Sequence, residues 1–344
     1  EQITFKPKSE HSIDNLLTIL KKAERELIDS HKSIDSVPYN GLSESYIERL
    51  YINSDGANRY MKLSQASIYL YAKAEEDNKK PRSAGSIRIN SELEQLDIDS
   101  CITETSEKLI SHLNYKSIET KKYLICFTPD AFLQLISAFS SMFNARSIID
   151  GLSLMNENSI GKQISIKNLN LSDEGLHPAN IGAFSFDGEG TPTQNINLIQ
   201  SGVLTNLIHS EATARKFGVK PTGHAGLGAK VSVSPDWLVV SKSAKGVDKD
   251  DSLSIKNTQK EYILIDELSA IHSGVKASQG SFSLPFDGWI VNNGSKISID
   301  AATVAGDILK VLNSIVKIEN EQIVTHQGIS PYIWVENMAI TGEA

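Results

Sequence analysis

Chemistry in this sequence would have to come from a small set of side chains. Eight histidines occur, His11, His31, His112, His177, His209, His224, His272 and His326, and no two stand at the i, i+4 spacing of a helical metal-ligand pair. Neither HExxH nor HxH is present. The two cysteines, Cys101 and Cys126, sit in apolar stretches without a CxxC or Cys/His spacing and read as reduced core thiols. A GxSxG elbow is also missing. A hydrolase built on Ser137, Ser140 or Ser141 would lack a histidine nearby in sequence to activate it.

Two glycine-rich segments carry the remaining candidates. Asp187-Gly188-Glu189-Gly190 sets two carboxylates on a turn, where they could hold a cation or act as an acid/base pair, or merely shape the turn. Gly223-His224-Ala225-Gly226-Leu227-Gly228 has the order GxxGxG and does not open a helix after a strand, so close backbone approach explains its glycines better than a nucleotide does.

The elements that must position these residues are legible from periodicity. Ile13, Leu16, Leu17, Leu20, Ala23 and Leu27 form a 3.6-residue stripe and predict an amphipathic helix. Tyr46 to Ile52, a Ser54-Asp55-Gly56 turn, the alternating run Ala66 to Ala74, a charged loop Glu75 to Arg82 and a return strand Ala84 to Asn90 predict antiparallel hairpins. A second helix is expected from about Ser100 to Leu113. Thr128 as N-cap, Pro129 at the first helical position and Asp130 in the first turn predict a third, with Phe132, Leu135, Ile136, Phe139, Met142 and Phe143 on its apolar face. Beyond Ile164 short β-prone runs dominate: Ile196 to Ile199, Lys230 to Val233, Trp237 to Val240, Tyr262 to Ile265 and Trp289 to Val291. Lys242 to Lys260 reads as a long surface loop, and one late helix is expected from Ala301 to Ile315. The pattern is α+β: a mixed helix and antiparallel-hairpin domain over residues 1–120, then a mainly β domain over residues 121–344.

Charge and composition exclude other classes. With 34 basic and 42 acidic side chains among 344 residues, the net charge is −8, and no basic block offers a grip on nucleic acid. No apolar run reaches the roughly 18 to 20 residues that span a bilayer, and residues 1–7 lack the pattern of a signal peptide. A cytoplasmic location is expected, with no membrane partner. The first residue is Glu1, so the chain reads as processed or trimmed.

Taken together the motifs become specific. The run Phe186-Asp-Gly-Glu-Gly-Thr-Pro-Thr-Gln-Asn-Ile-Asn-Leu-Ile-Gln-Ser-Gly-Val-Leu204, then Ala214-Arg-Lys-Phe-Gly218 and Thr222-Gly-His-Ala-Gly226, resembles the TldD/TldE (PmbA) family. Further matches lie at Ser159 to Gln163, Gly280 to Ser283, Gly288 to Gly294 and Val304 to Ile308, while Asn53 to Gly56 and the Ala66 to Asn90 hairpin resemble the family's N-terminal domain, shortened at its start.

The resemblance implies a function. TldD-like chains of this family carry HExxxH on a helix and a later cysteine, which together bind zinc for cleavage of unfolded peptides; TldE-like chains share the fold without these ligands. Here the helix after Thr128 offers Ile136, Ser137, Ala138, Phe139, Ser140 and Ser141 at that stretch, and no cysteine follows Cys126. The implied protein is a TldE-like subunit with no metal or catalytic residue of its own, paired with a TldD-like metallopeptidase that supplies the zinc. The alternative is a free-standing homodimer that binds peptides. Asp187, Glu189, Gly190, Thr222, Gly223 and His224 are the candidate functional surface.

Overall fold

The computed structural model describes residues 11–342. The chain divides into two compact units, Glu1–Tyr115 and Lys116–Ala344.

In the first unit, helix α1 (Ile13–Asp29) is capped by the Ser12 side chain, which accepts from the Asn15 N–H. Strands β1 (Ile34–Ile52), β2 (Asn58–Ala74) and β3 (Arg82–Asn90) form an antiparallel sheet in that order. The strands are longer than the apolar runs that signalled them, because cross-strand pairing carries both arms to the turn. There the Asn53 side chain accepts from the Asp55 and Ala57 N–H groups. Alternation in β2 decides the layering. Ala66, Ile68, Leu70, Ala72 and Ala74 are fully buried, with Ala23 and Leu27 of α1 and Cys101 and Leu109 of helix α2 (Ile98–Ser111) in the same core cluster. Tyr69 and Tyr71 face the other way and are exposed.

The second unit contains a closed barrel. Strand β4 (Lys121–Phe127) pairs in parallel with β5 (Tyr262–Leu268, later in the chain), and β5 pairs with β6 (Ser281–Asn292). Strand β7 (Ala302–Asp307) joins β6 to β8 (Ile333–Gly342), and β8 closes the ring against β4. Closure leaves these five strands without a free edge. A separate six-stranded sheet includes β9 (Leu169–Asp173), β10 (Ile196–Gln200) and β11 (Leu238–Lys242).

Helix α3 (Pro129–Ala138) starts as its capping residues require, with Thr128 Oγ1 accepting from the Ala131 N–H. It ends earlier than its apolar stripe suggests. Phe139 leaves helical geometry and a 3-10 turn, Ser140–Phe143, follows. Phe139, Met142 and Phe143 are still buried in the main core, so the stripe records burial across a break in the helix. The expected late helix is a second correction. Ala302–Asp307 is a barrel strand, and only Ile308–Asn313 (α4) is helical, capped by Asp307 through the Lys310 N–H. Pairing with β6 and β8 outweighs the helical periodicity there. The segment after β11 has no helix or strand before Tyr262, as expected, but it is anchored: Asp248 and Leu253 are buried, and Asp248 is paired with Lys242. No helix among the described residues is long and apolar enough to cross a membrane.

Candidate functional site

The glycine-rich turns converge on one buried polar network in the second unit. Asp173 ends β9, on the same inward face as Leu169 and Leu171, and is fully buried. One carboxylate oxygen accepts from the Trp237 N–H at 2.8 Å and the other from the Asp236 N–H at 2.9 Å. The second oxygen also faces His224 Nε2 at 3.1 Å. On the other side of the ring, Nδ1 lies 2.9 Å from Thr222 Oγ1. That hydroxyl accepts from the His209 N–H at 2.8 Å and donates to the His209 carbonyl at 3.1 Å. Its single proton is thus used, and Nδ1–H is the donor to it.

The electrostatics favour the charged form of the ring. Burial pushes His224 down, but the hydrogen bond and charge of Asp173, with Asp236 behind it, outweigh burial and raise the ring above its ordinary value. Asp236 is exposed by surface area, yet its carboxyl lies over crowded ground. Desolvation, opposed by His224 and reinforced by Asp173 and Asp187, moves it from 3.8 to about 6. His209 is lowered by burial and packs edge-on against Phe217, with ring centroids 5.2 Å apart.

The two motif carboxylates are spent on backbone. Asp187 accepts from the Glu189 and Thr191 N–H groups with one oxygen and from the Ala225 N–H with the other, all at 2.9 Å. Glu189 accepts from the Glu211 N–H at 2.8 Å, at the start of the short helix Glu211–Phe217. Asp187 is engaged through both oxygens, whereas Glu189 uses one. Gly223, with φ +78°, passes so near the next segment that a Cβ would stand 2.3 Å from the Pro192 carbonyl oxygen.

The expected candidate surface is therefore largely an interior. Asp187, Gly190, Thr222, Gly223 and His224 are buried and Glu189 is half-buried. The residues were chosen for their motifs, but the turns fold their side chains inward to satisfy main-chain donors. Sequence reasoning missed Asp173, Asp236 and His209. The signal for Asp173 was present, since an acidic residue closing the alternation Leu169, Leu171, Asp173 sits at an inward position and must find a cationic partner.

Fold and network define an α+β protein with a barrel-bearing second unit and a buried carboxylate–histidine lattice linking its glycine-rich turns. Residues 6–113 match the PmbA/TldA metallopeptidase central domain and residues 120–342 the PmbA/TldA metallopeptidase C-terminal domain. The chain belongs to the TldD/TldE (PmbA) metallopeptidase family. The segment expected to be a shortened N-terminal domain thus matches the family's central domain. The chain is similar to metalloprotease PmbA of Escherichia coli O157:H7, 23% identical over 315 residues that cover 91% of this chain and 66% of that protein. It spans about two thirds of that relative's length. A Thermotoga maritima structure described as a candidate modulator of a DNA gyrase superposes with TM-score 0.86 at 25% identity, covering 99% of this chain and 77% of that one. TldE from Thermococcus kodakarensis has the same fold, with TM-score 0.82, 20% identity and coverage of 99% and 78%.

Proposed function

We propose that this chain is a non-catalytic, TldE-like subunit that pairs with a TldD-like metallopeptidase acting on unfolded peptides. The observation that carries this reading is the donor set at the stretch where catalytic relatives carry HExxxH. Ile136 is buried in the main core, Ser137 and Ser141 offer only hydroxyls, and the α-helix ends at Ala138 inside that stretch. Ser141 Oγ is itself buried without a hydrogen-bond partner among the described residues. A catalytic zinc takes about three nitrogen, sulfur or carboxylate ligands and a nearby base. These residues do not fit that ion, and no step is assigned through it. The buried network around His224 supports the same reading, because the ring is held between Asp173 and Thr222 and is shut off from solvent. A cytoplasmic location is part of the proposal, in keeping with the free buried thiols Cys101 and Cys126.

The test is zinc content and cleavage of an unfolded peptide, measured on the isolated chain and after mixing with a TldD-like chain. The isolated chain is expected to hold no stoichiometric zinc and to leave the peptide intact, and the mixture to co-elute and cleave. Stoichiometric zinc with cleavage by the isolated chain overturns the proposal. A homodimer that ignores the TldD-like chain supports the free-standing peptide binder instead.

A further inference from the structure

Asparagine followed by glycine occurs twice in the chain, at Asn40-Gly41 and Asn293-Gly294. In such a pair the main-chain nitrogen of the glycine can attack the asparagine side-chain carbonyl carbon, because no Cβ obstructs the approach and the main chain has its widest choice of angles. The two pairs meet opposite surroundings.

Asn40-Gly41 lies inside β1, opposite Leu70 and Tyr69 of β2. The Asn40 amide is held, with Nδ2 donating to Glu24 Oε2 at 2.7 Å. The Tyr69 ring covers Gly41, where a Cβ would stand 2.6 Å from Cε1. Bringing the Gly41 nitrogen onto the Asn40 side chain would disrupt sheet pairing, a charge-assisted hydrogen bond and a ring contact together.

Asn293-Gly294 is the tip of a hairpin. It joins β6 to β12 (Ser295–Ile299), with Asn292 opposite Ser295. Both residues have positive φ, +48° and +79°, as a type I′ turn requires. Asn292, Asn293, Gly294, Ser295 and Lys296 are all exposed, and nothing lies within 4 Å of a Cβ placed on Gly294. Among the described residues neither the Asn293 amide nor the Gly294 N–H makes a hydrogen bond. Rotation of the Asn293 main chain toward ring closure therefore breaks no packing contact on Gly294.

We infer that Asn293 is a deamidation site and that Asn40, in the same Asn-Gly pair, is protected by the fold. The Gly294 nitrogen bonds to the Asn293 side-chain carbonyl carbon and gives up its proton, while the bond to the amide nitrogen breaks and ammonia leaves. Water then opens the five-membered imide. Cleavage at the side-chain carbonyl leaves aspartate and cleavage at the main-chain carbonyl leaves isoaspartate, so an amide and a water become a carboxylate and ammonium, with nothing oxidised or reduced. Either product adds a negative charge to the turn. Isoaspartate also lengthens the main chain by a methylene, and the length of a two-residue loop fixes the register of its hairpin. The isoaspartyl chain loses the pairing of Asn292 with Ser295. The inference does not depend on the subunit proposal, since it concerns the chemistry of this turn alone.

The experiment warms the full chain at mildly alkaline pH, folded and in concentrated urea, and follows the tryptic peptides 33–49 and 277–296 by fragmentation mass spectrometry. In the folded chain Asn293 is expected to gain one mass unit and split into an aspartate and isoaspartate pair, about tenfold or more faster than Asn40. In urea the two sites should convert at similar rates. The variant Asn293→Gln should leave peptide 277–296 unchanged over the same period, and hydrogen exchange at Val291 to Ile297 should quicken with age in the parent only. An unmodified Asn293 in the folded chain, an Asn40 that converts as fast as Asn293 there, or an Asn40 that stays slow in urea would each overturn the assignment.

Discussion

The Nε2 atom of His224 lies 3.1 Å from the Oδ2 atom of Asp173, and neither side chain reaches solvent. Their positions are 51 residues apart, and the contact ties the end of a sheet strand to a glycine-rich turn. Removing one member of such a pair strands the other as a buried charge, at a cost of about 3–5 kcal/mol. Asp173→Asn is expected to lower the unfolding free energy by about 3 kcal/mol in urea titrations at neutral pH. A change within about 0.5 kcal/mol would show that the pair is not charged.

The same network sets a pH dependence. His224 is raised in the folded chain above its ordinary 6.5, so the folded state binds the proton more tightly. The stabilisation is fully present below pH 6.5 and is lost as pH rises through the higher folded value. Asp236, at about 6 against 3.8, also binds its proton more tightly when folded, so its contribution falls as pH rises between those values. Solvent at Asp236 makes that slope shallow. Melting temperatures of Asp236→Asn and the parent should agree below pH 3.8, with the variant gaining as pH rises to 6. A constant gap across the range would contradict the assignment.

Two glycines separate strain from crowding. Gly218, with φ +67°, has nothing within 4 Å of a notional Cβ, whereas at Gly223, with φ +78°, the Cβ meets the Pro192 carbonyl oxygen at 2.3 Å. Gly218→Ala is expected to cost about 1–2 kcal/mol from left-handed backbone alone. Gly223→Ala should cost about 3 kcal/mol or more, because main chain must move as well. Equal losses in thermal unfolding would remove the role given to close approach at Gly223.

Glu189 places its carboxylate on the first N–H of the helix Glu211–Phe217. Glu189→Gln keeps the shape and removes the charge, and should cost about 0.5–1 kcal/mol. Hydrogen exchange would register this as faster exchange at Glu211 and its neighbours, with the barrel amides unchanged.

Ile136 is core, so on the proposed non-catalytic reading, placing HExxxH at this stretch should fail. The triple variant Ile136→His, Ser137→Glu, Ser141→His is expected to lose about 2–5 kcal/mol through the buried Ile136 site and to acquire neither stoichiometric zinc nor peptide cleavage. Zinc binding by this variant, measured by metal analysis after gel filtration, would show that α3 can extend past Ala138.

Some of this fold was open to reading because its causes are local. The cap at Thr128, the turn at Asn53 to Gly56 and the alternation that buries Ala66, Ile68 and Leu70 all depend on neighbours a few residues away. The segment at Ala301 to Ile315 was misread because helical spacing there competes with two strands that lie elsewhere in the chain, and barrel closure wins. The motif residues from Asp187 to His224 could be singled out in the sequence, but their burial could not.

The sequence by itself determined the family and the α+β pattern, because residue types and short spacings carry that information. Only the tertiary structure decided that Asp173 meets His224, that Asp187 serves main-chain donors, and that α3 stops at Ala138. Those outcomes depend on which distant polar groups must be satisfied once water is excluded, and no local pattern records where a partner tens of residues away comes to rest.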